Sequence, residues 1–301
     1  MSITVSNLSK NYGSQRAVDG ISFSLHKNEI VGFLGPNGAG KSTTMKMITG
    51  YLASDGGKID VCGIPVETTN ILTRTKIGYL PEANPLYTEM YVREYLSFIA
   101  GIHKVKSSQK RVEEVIELVG LQSESHKKIG QLSKGYKQRV GLAATLVHDP
   151  EVLILDEPTT GLDPNQIIEI REVIKKLGEH KTVLFSSHIM QEVEALCDRV
   201  IIINKGKIVA DDNLNHLKKG DVGKHHVTVQ FKESINVDML KSIEEAIHVI
   251  AYADNSFVIE TMSPENLRKK LFEFSLQNQL NIISLHSENQ SLENIFKQLT
   301  T

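Results

Sequence analysis

The residues with the plainest chemistry form one run, Gly35-Pro36-Asn37-Gly38-Ala39-Gly40-Lys41-Ser42-Thr43. Its glycines let the backbone curl until successive N–H groups face one point. Lys41 and Ser42 close it with an ammonium and a hydroxyl. A loop of this kind cradles phosphate when it joins a buried strand to a helix, because the helix N-terminus adds its partial positive charge. Both flanks are present. Glu29-Ile30-Val31-Gly32-Phe33-Leu34 is the apolar run of a buried strand, and residues 43–49 read as a helix stopped by Gly50. Lys41 would reach the β- and γ-phosphates, and the Ser42 hydroxyl would ligate Mg²⁺. The run implies a bound nucleoside triphosphate.

A second group of chemical residues lies far downstream. Val152-Leu153-Ile154-Leu155 reads as a central parallel strand, and it ends in Asp156-Glu157 just before Pro158. Two acids at the carboxyl edge of a parallel sheet stand where open α/β folds place their sites. Asp156 suits the metal carboxylate, and Glu157 suits a group that orients or deprotonates the attacking water. His188 follows the next strand, Thr182-Val183-Leu184-Phe185-Ser186.

These residues must be positioned by an ordinary globular chain. Its 301 residues, 40% hydrophobic and 23% charged, have room for one large and one small domain. A formal net charge of −2 gives no electrostatic footprint for nucleic acid. Cys62 and Cys197 are far apart, so neither a disulfide framework nor a zinc site is indicated, and a reducing cytoplasm fits best. No apolar run approaches the roughly 18 residues of a spanning helix, so any membrane partner is expected to be another chain.

Ile3, Val5 and Leu8 alternate with polar residues as on an edge strand, and Ile21-Ser22-Phe23-Ser24-Leu25 alternates likewise. Tyr12, between them, is either an ordinary turn tyrosine or a platform for a nucleobase, a contact worth about 1–3 kcal/mol. Asp55-Gly56-Gly57 reads as a hairpin signal before Lys58-Ile59-Asp60-Val61. Ile77-Gly78-Tyr79-Leu80 is a short strand halted by Pro81. From residue 92 the apolar period becomes helical: Val92, Tyr95, Leu96 and Ile99, then Val112, Val115, Ile116 and Val119. That block, with a further helix over 140–147, interrupts the α/β pattern as an inserted subdomain. Pro164 opens a helix with Ile167, Ile170, Ile174 and Leu177 on one face, and helix 190–197 precedes the strand 200–203. Residues 211–223 turn polar and glycine-bearing, as at a domain boundary. Beyond them, strands 226–231, 248–253, 257–260 and 281–285 and helices 237–245, 264–277 and 291–299 follow the order β-α-β-β-α-β. That order resembles the ferredoxin-like split βαβ.

Leu132-Ser133-Lys134-Gly135-Tyr136-Lys137-Gln138-Arg139 makes the pattern specific. It resembles the signature of the ATP-binding-cassette family, which most often reads Leu-Ser-Gly-Gly-Gln; here Lys134 and Tyr136 replace Gly and Gln. Ser133 stands at an N-cap position, where its hydroxyl and the N–H groups behind it suit a γ-phosphate. Further similarities run in order along about residues 1–215. Tyr12 resembles the adenine-stacking aromatic, residues 35–43 the Walker A loop and residues 152–157 Walker B. Gly161-Leu162-Asp163 resembles the D-loop, and His188 the switch histidine that senses γ-phosphate. Glu82, in Tyr79-Leu80-Pro81-Glu82, replaces the family's Q-loop glutamine and joins Ser42 and Asp156 as an expected Mg²⁺ ligand. A finer resemblance is to exporter-type cassettes similar to drug-export and gliding-motility subunits. It rests on Leu80-Pro81-Glu82, on residues 132–136 and on the tail Ser291-Leu292-Glu293-Asn294-Ile295-Phe296.

The resemblance implies an α/β phosphate-loop NTPase fold over residues 1–220. Its parts are a RecA-like core sheet, an antiparallel β-subdomain and a helical subdomain over about 85–150. Residues 221–301 are expected to form a small α+β domain, and its lack of site residues points to regulation or dimerisation. It implies ATP hydrolysis with Mg²⁺, a head-to-tail pair with a second cassette (expected to be another copy), and a polytopic permease. It also implies residence in the cytoplasm, peripheral on the inner face of the membrane. A GTPase would need an Asn-Lys-x-Asp base reader, and Asn204-Lys205-Gly206 is followed by Lys207. The alternative is a soluble regulatory, ribosome- or DNA-associated cassette ATPase. The ribosomal branch carries two cassettes per chain and the DNA-repair branch long coiled coils, and neither is present here.

Overall fold

The computed structural model describes residues 1–219, 225–252, 254–288 and 296. The chain divides into two compact units, Met1–Asp212 and Asn213–Thr301. In the first unit, strands β1 (Ile3–Tyr12), β2 (Gln15–Leu25), β4 (Gly56–Val61) and β5 (Ile64–Pro65) form an antiparallel sheet. Its order is β2-β1-β4-β5. Strands β3 (Ile30–Leu34), β6 (Ile77–Leu80), β7 (Val152–Asp156), β8 (Thr182–Ser187), β9 (Arg199–Asn204) and β10 (Lys207–Asn213) form the main sheet. There the order is β10-β9-β3-β8-β7-β6.

The pairs β3–β8, β7–β8 and β6–β7 are all parallel. Their carboxyl ends therefore share one edge, and the chain leaves that edge at residue 35, at Pro81, at Glu157 and at His188. Four distant segments meet there for that reason alone. All residues of β7 and β8 are buried, as expected of strands covered on both faces. One core fills the space between the two sheets, with Ile3, Leu8, Phe23, Phe33, Met45 and Ile154 among its members. Each such side chain contributes about 1.5–3 kcal/mol by leaving water.

Helix α1 (Lys41–Ile48) follows β3, and α2 (Ile71–Lys76) precedes β6. Helices α3 (Val92–Ile102), α4 (Ser108–Leu118) and α5 (Lys134–Leu146) make the helical block. Leu96, Val115, Ile116 and Val140 are buried within it, as their spacing required. Helices α6 (Pro164–Gly178) and α7 (Met190–Leu196) complete the unit. No helix among the described residues is long and apolar enough to cross a membrane.

Three local expectations are corrected. β1 is an inner strand, paired with β2 on one side and β4 on the other, not an edge. Its alternation reports one buried face, which inner and edge strands of a one-sided sheet share. Asp55-Gly56-Gly57 is not a hairpin. Gly57 has φ +88, and a Cβ there would lie 2.5 Å from the Asn7 carbonyl oxygen, at an irregularity in the β1–β4 register. The hairpin lies instead between β4 and β5, where Cys62 and Gly63 both have positive φ, the signature of a type I′ turn. Helix α1 begins at Lys41 rather than residue 43, so Lys41 and Ser42 belong to its first turn.

The second unit opens with α8 (Leu214–Lys219) and continues β11 (His225–Phe231), α9 (Val237–Lys241), β12 (His248–Ala251), β13 (Ser256–Thr261), α10 (Pro264–Gln277) and β14 (Ile282–Glu288). The sheet order β12-β13-β11-β14 is antiparallel throughout, which is the split βαβ topology. It has its own core, built on Val227, Val229, Phe231, Ile259, Leu267 and Leu271. The expected helix 291–299 and the tail 291–296 lie outside the described residues, except Phe296.

Candidate active site

The loop between β3 and α1 is wedged against its neighbours. Gly40 caps α1 with φ +108, and a Cβ on it would meet the Ala17 carbonyl oxygen at 2.5 Å. Only glycine fits both the conformation and the gap. Lys41 folds back over this loop. Its Nζ donates to Gly35 O at 2.8 Å and Pro36 O at 3.3 Å, and lies 3.5 Å from Glu157 Oε1. The ammonium is thus held, largely buried, where loop and acid converge.

Asp156 ends β7 and is buried. The Ser186 hydroxyl, opposite it on β8, donates to Asp156 Oδ1 at 2.7 Å and accepts the Glu157 backbone N–H at 2.9 Å. Glu157 has left-handed backbone, φ +50, and a side chain only 7% exposed. Its Oε2 accepts from Thr160 Oγ1 at 3.2 Å and meets His188 Nδ1 at 2.8 Å. A carboxylate with its backbone and both oxygens engaged is aimed rather than free, which is what a general base requires.

Part of this set lines one cleft of about 470 Å³, while Asp156 faces the second cleft described below. Lys41, Ser42, Glu157, Thr160 and His188 sit on its walls, with Asn37, Gly38, Gly40 and Thr43 from the loop. Tyr12, at the end of β1 and 51% exposed, lies at the same cleft with Gln15 and Ala17, free of any core role and available to stack on a base. Glu82 also lines it, exposed and making no hydrogen bond or ion pair among the described residues.

The signature segment is placed elsewhere. Ser133 caps α5, accepting from Tyr136 N at 3.4 Å, while Leu132 and Gly135 are buried. Lys134 and Tyr136 sit in the first turn, and none of residues 132–136 lines the phosphate cleft. Arg139, over the Tyr136 ring, bonds Glu169 of α6, which ties the signature helix to the element that Asp163 caps through Gln166 N at 3.0 Å. The D-loop residue Asp163 is therefore at least a cap.

A second cleft of about 690 Å³ meets the first at Ser42 and Glu82. Tyr51, Tyr79, Tyr95 and Ile99 give it an apolar wall, and Lys46 and Arg74 give it cations. His103 and His148 stack at 3.9 Å within it. Burial first, and the neighbouring His103 ring second, push the His148 pKa down to about 4. The ring is neutral at pH 7, and because a carbonyl oxygen only accepts, it is the Nε2–H tautomer that donates to Ile77 O at 3.0 Å. Asn84 joins this cleft to the signature helix, donating to Lys137 O at 3.0 Å.

Sequence reasoning did not single out Ser186 or Thr160. The hydroxyl run Ser186-Ser187 before His188, and Thr159-Thr160 after Pro158, were the available signals.

A parallel sheet with a phosphate loop, a paired Asp-Glu and a histidine at its carboxyl edge defines a phosphate-loop ATPase. Residues 18–160 match the family model described as ABC transporter. The chain belongs to that family, as an ATP-binding, ATP-hydrolysing subunit. It is 36% identical over 301 residues to the linearmycin resistance ATP-binding protein LnrL of Bacillus subtilis, covering 98% of this chain and 96% of that one. It is 35% identical over 302 residues to the bacitracin transport ATP-binding protein BcrA of Bacillus licheniformis, covering 99% and 96%. Among solved structures, an ATP-binding subunit of an ABC transporter is similar with TM-score 0.67 at 28% identity, over 73% of this chain and 92% of that one. A dimeric bacterial ABC transporter cassette is similar with TM-score 0.65 at 25% identity, over 70% and 98%.

Proposed function

We propose that this subunit works as a head-to-tail pair of identical cassettes, peripheral on the cytoplasmic face of a membrane, driving export through a separate polytopic permease. One observation carries the pairing: residues 132–136 carry the signature yet do not line their own chain's phosphate cleft. A second copy turned end to end would supply the Ser133 hydroxyl, the Gly135 backbone and the Lys134 ammonium to the γ-phosphate. The second cleft, whose lining is largely apolar, suits a short helix of the permease, and Tyr87 and Phe98 extend apolar surface beside it. Relatives named for bacitracin transport and linearmycin resistance support a drug-type cargo. Tagged protein should sediment with membranes together with a polytopic chain. Recovery wholly in the soluble fraction would favour the soluble alternative.

In hydrolysis, Lys41 and the loop N–H groups hold the phosphates, and Glu157 takes the proton from the attacking water. His188, bonded to Glu157, stands beside the γ-phosphate position. Ser42, Asp156 and Glu82 offer a hydroxyl and carboxylate oxygens, hard donors that suit Mg²⁺. No three His, Cys, Asp or Glu side chains cluster as a metal site among the described residues. An ion held by Ser42, Asp156 and Glu82 would neutralise charge on the phosphate oxygens. Glu82→Gln should leave ATP binding nearly intact while moving the Mg²⁺ dependence of hydrolysis upward about two- to fivefold, the scale of an exposed charge contact. Superimposable Mg²⁺ titrations would remove Glu82 from the metal.

The second unit carries none of these residues, and regulation or dimer stabilisation is its proposed role. A chain ending at Asp212 should still unfold cooperatively and bind ATP, because its core and every site residue precede that point. Loss of the unfolding transition would show that the first unit depends on the second.

A further inference from the structure

Glu157 occupies backbone that a glutamate adopts only at a cost, about 1–3 kcal/mol in the left-handed region. Something must hold it there. On the backbone side, Ser186 does so: its hydroxyl accepts Glu157 N–H at 2.9 Å and donates to Asp156 Oδ1 at 2.7 Å. Ser186 is fully buried and in register with Asp156, so the bridge is rigid. On the side-chain side the chain turns back at once. Pro158, its φ set by the ring, stands second in a turn closed by Thr160 N–H to Glu157 O at 3.1 Å. That turn brings Thr160 Oγ1 to Glu157 Oε2 at 3.2 Å.

We propose that Ser186 and Thr160 are positioning residues that clamp Glu157 from both ends, Ser186 fixing its strained backbone and Thr160 aiming its carboxylate at the attacking water. Neither needs to touch nucleotide. The clamp rests on Glu157 being the base, and it follows from four hydrogen bonds. His188 shares Oε2 but sits on an exposed ring, whereas Thr160 is tied to Glu157 through its own backbone as well. Thr160 thus fixes Oε2 from within residues 157–160, while Lys41 holds Oε1 from the other side.

The test compares full-length parent, Glu157→Gln, Thr160→Val, Thr160→Ser and Ser186→Ala for kcat, KM and equilibrium ATP binding. Thr160→Val removes the hydroxyl at nearly constant shape and should lower kcat about tenfold, the scale of a small misplacement of a reacting group. KM and ATP affinity should stay within about twofold, since no phosphate contact is lost. Thr160→Ser should restore most of the rate, which a purely steric role for the methyl group would not allow. Ser186→Ala should lower kcat at least as far, and it carries the test if Thr160→Val is unstable to heat. Both hydroxyl deletions running at the parent rate, beside an inactive Glu157→Gln, would overturn the clamp alone. An active Glu157→Gln would remove the base assignment and the clamp with it.

Discussion

Glu157→Gln is expected to bind ATP at close to parental affinity and to hydrolyse it about 10²–10⁴ times more slowly, the usual weight of general-base help. The amide keeps an oxygen for Thr160 and His188, so the geometry around Oε2 survives. It has no basic oxygen for the proton of water, and that is what the rate loses. The Lys41 ammonium also loses its carboxylate neighbour at 3.5 Å, which leaves it freer to meet phosphate. ATP bound but unhydrolysed should then hold two copies together, each phosphate cleft closed by the other's signature segment. Light scattering with and without ATP reads this directly: a dimer with ATP and a monomer without it. A monomer in both conditions would rule out the sandwich, while a parental hydrolysis rate would rule out the base.

Lys41→Ala should weaken ATP binding about 10²-fold or more. A charge-assisted hydrogen bond contributes about 1.5–3 kcal/mol, and in the proposed complex the lysine would face two phosphates. The same change leaves Glu157 Oε1 buried without its cation, so some loss of stability accompanies it. Thermal unfolding of the free protein measures that part, and nucleotide titration of the folded fraction measures the binding loss. Unchanged affinity in a folded Lys41→Ala protein would move the phosphate site away from this loop.

Much of the site was legible in the sequence because its chemistry is local. Residues 35–43 form the loop, the helix N-terminus and the lysine in one unbroken segment, so type and spacing imply the phosphate cradle without any knowledge of neighbours. Asp156 and Glu157 could be read because four apolar residues and a proline bracket them. The C-terminal unit was legible for a similar reason: its element order permits few topologies, and β12-β13-β11-β14 is the split βαβ one. Tertiary structure alone decided what depends on pairing between distant segments. An alternating strand looks the same inside a sheet or at its edge, so the place of β1 was not in its pattern. Gly57 signalled a turn by composition, yet it is a point of close approach to Asn7, a residue far earlier in the chain. Ser186 acts through Asp156 and Glu157 on an adjacent strand, a contact made by parallel register. The left-handed backbone of Glu157 likewise has no mark in the sequence, because a single residue type does not set φ where a neighbouring strand supplies the hydrogen bond that holds it.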